Sequence, residues 1–430
     1  MRTYNLDTLS PDELANLCVR PSTTYTDVPT VVHSILKQVA SNGDAALREL
    51  TEKFDKAIIK KFQVCQDERE NARRMVPANL QEAVSRASKS IEIFHRAQIP
   101  LPITVETTPG VSCSRVWKPI NNVGLYIPGG TAPLVSTLLM LGIPATIAGC
   151  RNIVVCTPPL PSGAISPSIL FAAETLNIKQ IYKVGGAQAI AAMALGTESI
   201  PKVDKIFGPG NRYVAAAKLA VTQPPYNIAI DVHAGPTEVL IIADEHAKPS
   251  WVAADLIAQA EHGEDSQVIL VATSRQIAIA IETEMIKQTA SLSRKEIVSK
   301  ALEKSFSLIV NTIDQAIEFS NRYAPEHLQL AVEHPEKYQD RITSAGSVFL
   351  GNITSAVFGD YASGTNHTLP TNGAARYSGG VTVESFMKPV FFQTVTEQGL
   401  KNIAKTVSVL AEAENLDGHK NAALIRGVAL

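Results

Sequence analysis

The chain has 430 residues with 39 Lys+Arg against 41 Asp+Glu, a formal charge of −2. That balance lacks the positive footprint of a nucleic-acid binder, and an apolar share of 45% is enough to fill a folded core, which excludes a disordered chain. The length suits two or more domains. The five cysteines, Cys18, Cys65, Cys113, Cys150 and Cys156, form no CxxC pair, so reduced thiols in the cytoplasm are expected instead of a disulfide framework.

The first twenty residues carry polar and acidic side chains throughout and hold no apolar run of signal-peptide length. Residues 1 to about 118 read as mostly helical from their apolar spacing, clearest in VPTVVHSILKQVASNGDAALRELTEKF and ANLQEAVSRASKSIEIFHRA. The charge-free stretch from Pro119 to Cys150 has the length of a membrane span. It is interrupted by Pro128, Gly129, Gly130, Pro133, Gly142 and Pro144, so a buried strand, a loop and a helix are expected there, with no membrane association.

Beyond Val123, β-branched runs alternate with Ala/Leu-rich segments. VGLYI, NIVVCTPP, QIYKVGG and KIFGPG read as strands, with helices in TAPLVSTLLMLG, SPSILFAAETL and AQAIAAMALG between them. A second set follows over about 238–330, in which EVLIIAD, SQVILVAT and SLIVNT alternate with WVAADLIAQAEHG and RQIAIAIETEMIKQTAS. The fold class is therefore α/β: two Rossmann-like doubly wound units, a helical N-terminal segment and a small C-terminal tail domain. Residues 343–381, rich in Gly, Ser, Thr and Asn, read as a long working loop. Helical spacing returns after about 382.

Several residues could carry chemistry. The turns IPGGTAP and FGPGNRY put glycines ahead of helices, where free amides can meet a phosphate, but neither is GxGxxG and glycine serves such turns for conformational reasons alone. Gln259 and His262, three apart, share a helix face that Gly263 ends; they could grip a metal or simply be solvated. Glu326 and His327 follow Pro325, an imidazole and a carboxylate side by side, suited to proton transfer or to an ordinary ion pair. Asp360 and His367 lie in the long loop, where a metal ligand and a turn-forming Asp look alike. Glu414 and His419 sit in a polar stretch that also reads as plain surface.

Seven long segments in order, VGLYIPGGTAPLVSTLLM, VGGAQAIAAMALGT, DKIFGPGNRYVAAAK, AGPTEVLIIAD, QAEHGEDSQ, YAPEHL and FGDYASGTNHTLPT, resemble the histidinol dehydrogenase family over nearly the whole chain. The resemblance implies a zinc- and NAD+-dependent oxidation of L-histidinol to L-histidine through bound histidinaldehyde, using two NAD+ and one water. Zinc, one ion per subunit, would be held by Gln259, His262, Asp360 and His419, with Glu326 and His327 as the acid/base pair. Thr237, Gln259, His262, His327, Asp360, His367, Glu414 and His419 would meet the substrate. Tyr126, Gln188 and Asn211 would hold the dinucleotide. It also implies a homodimer whose tail completes the neighbouring site. On that basis the chain divides into an arm, 1–25; an α/β domain of 26–122 plus 238–381 with most metal and catalytic residues; a Rossmann-like domain, 123–237; and a tail, 382–430. Two departures are Thr237, where the family more often has Ser, and His233, which receives no role. The alternative is a related zinc/NAD dehydrogenase of another small amino or sulfo alcohol.

Overall fold

The computed structural model describes residues 1–20, 27–129, 133–232 and 235–428. Gly130, inside the first glycine turn, and His233 lie outside the described residues. Two all-parallel sheets organise the chain. In the first, strands stand in the order Gln180–Lys183, Asn152–Thr157, Asn122–Tyr126, Lys205–Phe207, Ala229–Ile230. In the second the order is Arg2–Asn5, Phe306–Ile309, Gln267–Ala272, Glu238–Ala243, His327–Ala331, Ser347–Leu350. Setting aside the N-terminal edge strand, both follow the doubly wound order 3-2-1-4-5, so both have a switch point between their first and fourth strands.

The predicted strands form because their β-branched runs are covered on both faces. Every residue of Glu238–Ala243 and of Gln267–Ala272 is buried, as a parallel sheet between helical layers requires. The helix Val135–Ala148 runs through Pro144 and buries ten residues, which accounts for the charge-free stretch. No helix among the described residues is long and apolar enough to cross a membrane.

Two expectations are corrected. The segment before residue 119 is not helical to its end: Ile103–Thr108 and Val111–Pro119 form an antiparallel hairpin, joined by Met387–Val395, so the tail also opens with a strand. Residues 343–381 contain the strand Ser347–Leu350 and the helix Ala356–Tyr361. The helices of residues 28–96 pack chiefly around the five-stranded sheet. The apolar stripe of the helix Val28–Asp55 packs on the Ala-rich helix Gly186–Leu195, and the helices Gln66–Met75 and Ala78–Arg96 cover the opposite face of the same five-stranded sheet. An amphipathic stripe demands a partner without specifying which, and here the five-stranded sheet supplies it.

At the end of Lys205–Phe207 the chain turns through Gly208, whose φ of +124° and approach to the Tyr126 carbonyl leave no room for a side chain. The Gly208 N–H donates to Asp231 at 2.7 Å, and Asp231 is paired with the fully buried Lys218, which also donates to the Gly208 carbonyl at 2.8 Å. The turn facing the second unit is thus fixed from beneath.

Candidate active site

A cleft of about 310 Å³ opens between the two units. One wall is the Gly208–Gly210 turn with Leu134 and Ser136; the other carries Thr237, Gln259, His262, Glu326, His327, Asp360 and His367. The first wall stands at the carboxyl end of its sheet. The second stands at the amino ends of its strands, since Thr237 precedes Glu238–Ala243 and Glu326 precedes His327–Ala331.

These two strands are neighbours with His327 opposite Val239, which brings Thr237 and Glu326 together. Pro325 follows the end of the helix Ile313–Tyr323, whose Ala324 cap is left-handed at φ +55°, so the chain leaves the helix and enters the strand in three residues. The Glu326 carboxylate is 6% exposed; its Oε2 accepts from Thr237 Oγ1 at 2.7 Å and from the Glu238 N–H at 2.8 Å. Thr237 Oγ1 in turn accepts from Gln259 Nε2. Anchored by its nitrogen, Gln259 has its carbonyl oxygen left as a ligand atom.

His327 is 3% exposed and its ring stacks on Phe349 at 5.9 Å between centroids. Its Nδ1–H donates to the Glu238 carbonyl at 3.1 Å, which fixes the tautomer and turns Nε2 toward Asp360 Oδ1, 3.4 Å away. Burial opposes a charged imidazole, but Glu326 and Asp360 on either side outweigh it and hold its pKa well above the ordinary value. Burial likewise acts to raise the Asp360 carboxyl, yet His327, His367 and His262 together bring it below the usual range. His367 bridges the units: Nδ1 meets the Asp360 carbonyl at 2.9 Å and Nε2 meets Thr137 Oγ1 at 3.0 Å. Burial lowers its pKa.

Gln259 lies on the helix Pro249–Ala260, whereas His262 stands past its end, in the turn before Gly263. The expected helical pair is therefore a helix residue and a turn residue facing one cleft. Glu414 and His419 are exposed on the tail and do not line this cleft. Tyr126 and Gln188 are buried behind the cleft wall, where the Tyr126 hydroxyl accepts from the Gly186 N–H at 3.1 Å. Asn211 caps the helix Arg212–Val221.

Sequence reasoning missed the supports. Asp255, one turn before Gln259, accepts from Ser355 Oγ and, at 2.9 Å, from Gln329 Nε2, tying the helix of Gln259 to the N-cap of the Asp360 helix and to the strand of His327. The i,i+4 spacing of Asp255 and Gln259 was its one signal. Arg20, without any local signal, makes two bonds to Glu238 and lies 3.5 Å over the Tyr323 ring.

Two doubly wound units meeting over a buried carboxylate, an imidazole and a set of oxygen and nitrogen donors define an α/β enzyme fold with its candidate active site at the seam. The histidinol dehydrogenase family model matches residues 18–427, and the chain belongs to the histidinol dehydrogenase family. A histidinol dehydrogenase from Mannheimia succiniciproducens is 48% identical over 427 residues, covering 99% of each chain. A chloroplastic histidinol dehydrogenase from Arabidopsis thaliana is 48% identical, covering 99% of this chain and 91% of its own. The crystal structure of histidinol dehydrogenase from Elizabethkingia anophelis superposes with a TM-score of 0.96 at 50% identity, covering 100% of this chain and 98% of that one.

Because Thr237 Oγ1 both donates to Glu326 and accepts from Gln259, Thr237→Val leaves two buried polar groups short of a partner. It is expected to cost about 1–3 kcal/mol of stability in chemical denaturation, with Thr237→Ser close to the parent.

Proposed function

We propose that this protein oxidises L-histidinol to L-histidine through bound histidinaldehyde, with two NAD+, one water and one zinc ion per subunit, as a step in histidine biosynthesis. The observation that carries the reading is the convergence on one cleft of the Glu326–His327 pair with the donors Gln259, His262 and Asp360. Family membership supplies the substrate class. The free cysteines accord with a reducing compartment, and we assign the protein to the cytoplasm.

The donor set fits a divalent ion. Gln259 offers a carbonyl oxygen, Asp360 a carboxylate and His262 an imidazole, the mixed N/O ligation that zinc accepts; we assign the fourth position to His419 of the partner subunit, because the exposed tail carries that residue away from its own cleft. When bound, zinc supplies Lewis-acid anchoring of the substrate's imidazole and amine, and NAD+ accepts a hydride in each oxidation. Glu414, on the same tail, and His367 complete the substrate contacts, and Tyr126, Gln188 and Asn211 serve the dinucleotide.

Conversion of a primary alcohol and water to a carboxylate releases four electrons, hence two hydrides, and three protons. His327 takes the hydroxyl proton as the carbinol carbon is oxidised. With Asp360 engaged as a ligand, Glu326 would be the one carboxylate still raising the His327 pKa, and Nε2 could act as base while Nδ1–H stays on the Glu238 carbonyl. Glu326, fixed by Thr237 and the Glu238 amide, then draws a proton from water as it adds to the aldehyde. His327 serves again when the hydrate is oxidised. Retention of the aldehyde between the steps protects it from cytoplasmic amines.

Counting NADH formed per histidinol consumed tests the reading: two are expected, and none after chelation; one per substrate, or chelator-insensitive turnover, would exclude it. Glu326→Gln should slow oxidation of supplied histidinaldehyde more than that of the alcohol, whereas His327→Asn should slow both by about 10²-fold or more. Mixing inactive His262→Ala and His419→Ala subunits should restore about one quarter of parental activity, since half of randomly paired dimers carry one intact site. Absence of recovery would mean a site built within one chain.

A further inference from the structure

In a doubly wound dinucleotide site an acidic residue at the carboxyl end of the second strand accepts hydrogen bonds from the ribose hydroxyls. Here that strand, Asn152–Thr157, runs into Pro158 and Pro159 and offers no acid. A carboxylate reaches the same place from outside the sheet. Asp55 ends the helix Val28–Asp55, and a Cβ built on Gly185 would stand 3.3 Å from Asp55 Oδ1 while colliding with Pro158. The next residue, Gly186, donates to the Tyr126 hydroxyl, and a Cβ there would meet the Gln188 amide oxygen at 2.8 Å. Asp55, Pro158, Tyr126 and Gln188 therefore surround one pair of glycines at the edge of the five-stranded sheet.

Two polar atoms in this group are buried with no hydrogen-bond partner among the described residues, Asp55 Oδ2 and Gln188 Nε2, and Gln188 as a whole is 2% exposed. An acceptor and a donor left unpaired at one spot are costly unless a ligand answers both. The ligand that answers Asp55 must bring hydrogen-bond donors, as ribose hydroxyls do; a phosphate would bring only acceptors and like charge. Burial lifts the Asp55 carboxyl to about 6, so it is an acceptor at neutral pH.

We propose that Asp55 binds the hydroxyls of the adenosine ribose, with Gln188 Nε2 donating to the same half of the dinucleotide, and that its charge excludes a 2′-phosphate. The assignment rests on the NAD+ reading above and adds to it a residue that selects NAD+ over NADP+. A side chain at position 185 would press on Pro158 and on the carboxylate.

Direct binding to the intact enzyme, by calorimetry with NADH, NADPH and the 2′-deoxyadenosine analogue of NADH, tests this apart from turnover. Parental enzyme should bind NADH more tightly than either of the others by about tenfold or more, whereas Asp55→Asn should weaken NADH by a similar factor and level the three to within about twofold. Equal NADH affinity in parent and variant would overturn the role of Asp55. So would a uniform loss for all three ligands that tracks a lowered unfolding midpoint. Should Asp55→Asn not fold, the parent alone decides: no preference for NADH over its 2′-deoxy analogue overturns the proposal. Parental enzyme that binds none of the three would instead defeat the NAD+ reading itself.

Discussion

A buried carboxylate must be given hydrogen-bond donors or it will not stay ionised, and the arrangement around Glu326 is organised by that requirement. Its two donors come from Thr237 and the Glu238 amide, at the start of the neighbouring parallel strand. The register that sets His327 opposite Val239 therefore sets the geometry of the site as well as the pairing of the sheet. The same strand start accepts the His327 Nδ1 proton and, through Thr237, receives Gln259. Glu326, His327 and Gln259 are fixed by one short stretch of backbone.

The seam has an unusual polarity. Doubly wound sheets ordinarily present ligands at the carboxyl ends of their strands, and the five-stranded sheet follows that rule with its Gly208–Gly210 turn. The six-stranded sheet turns its amino ends to the cleft. Its carboxyl end carries Asp244, Glu245 and His246, a largely solvated group. Charged side chains at an amino end are favourable for a carboxylate, since free strand amides point at it, as the Glu238 N–H does at Glu326.

How much of this was legible in the sequence varies with range. The first four strands of the five-stranded sheet and the strands Glu238–Ala243, Gln267–Ala272 and Phe306–Ile309 were readable because buried parallel strands are continuous β-branched runs, and the helices between them because Ala and Leu dominate. Gln259, His262, Glu326, His327 and Asp360 could be picked out by residue type, but only as separate weak signals, and Thr237 came only with the family resemblance, since nothing local tells that the starts of two strands will be adjacent. The hairpin Ile103–Pro119 carries only a short alternation, in ITVET and VSCS, too brief to stand out after the long helical spacing before it. The helices of 28–96 announced an apolar stripe and not the sheet that receives it. Supports such as Arg20, 218 residues from its partner Glu238, leave no trace in a local pattern.

The amino-terminal arm is worth following to its end. Arg2–Asn5 closes the edge of the six-stranded sheet beside Phe306–Ile309, and the arm returns to insert Arg20 against Glu238, Tyr323 and the Ala324 carbonyl. The guanidinium is thus counter-charge for a glutamate whose own amide grips Glu326. Anything appended upstream, an affinity tag or an organelle-addressing leader, leaves from an outer margin of the sheet and can be accommodated; trimming that reaches Arg20 takes away the cation that balances Glu238 beneath Glu326.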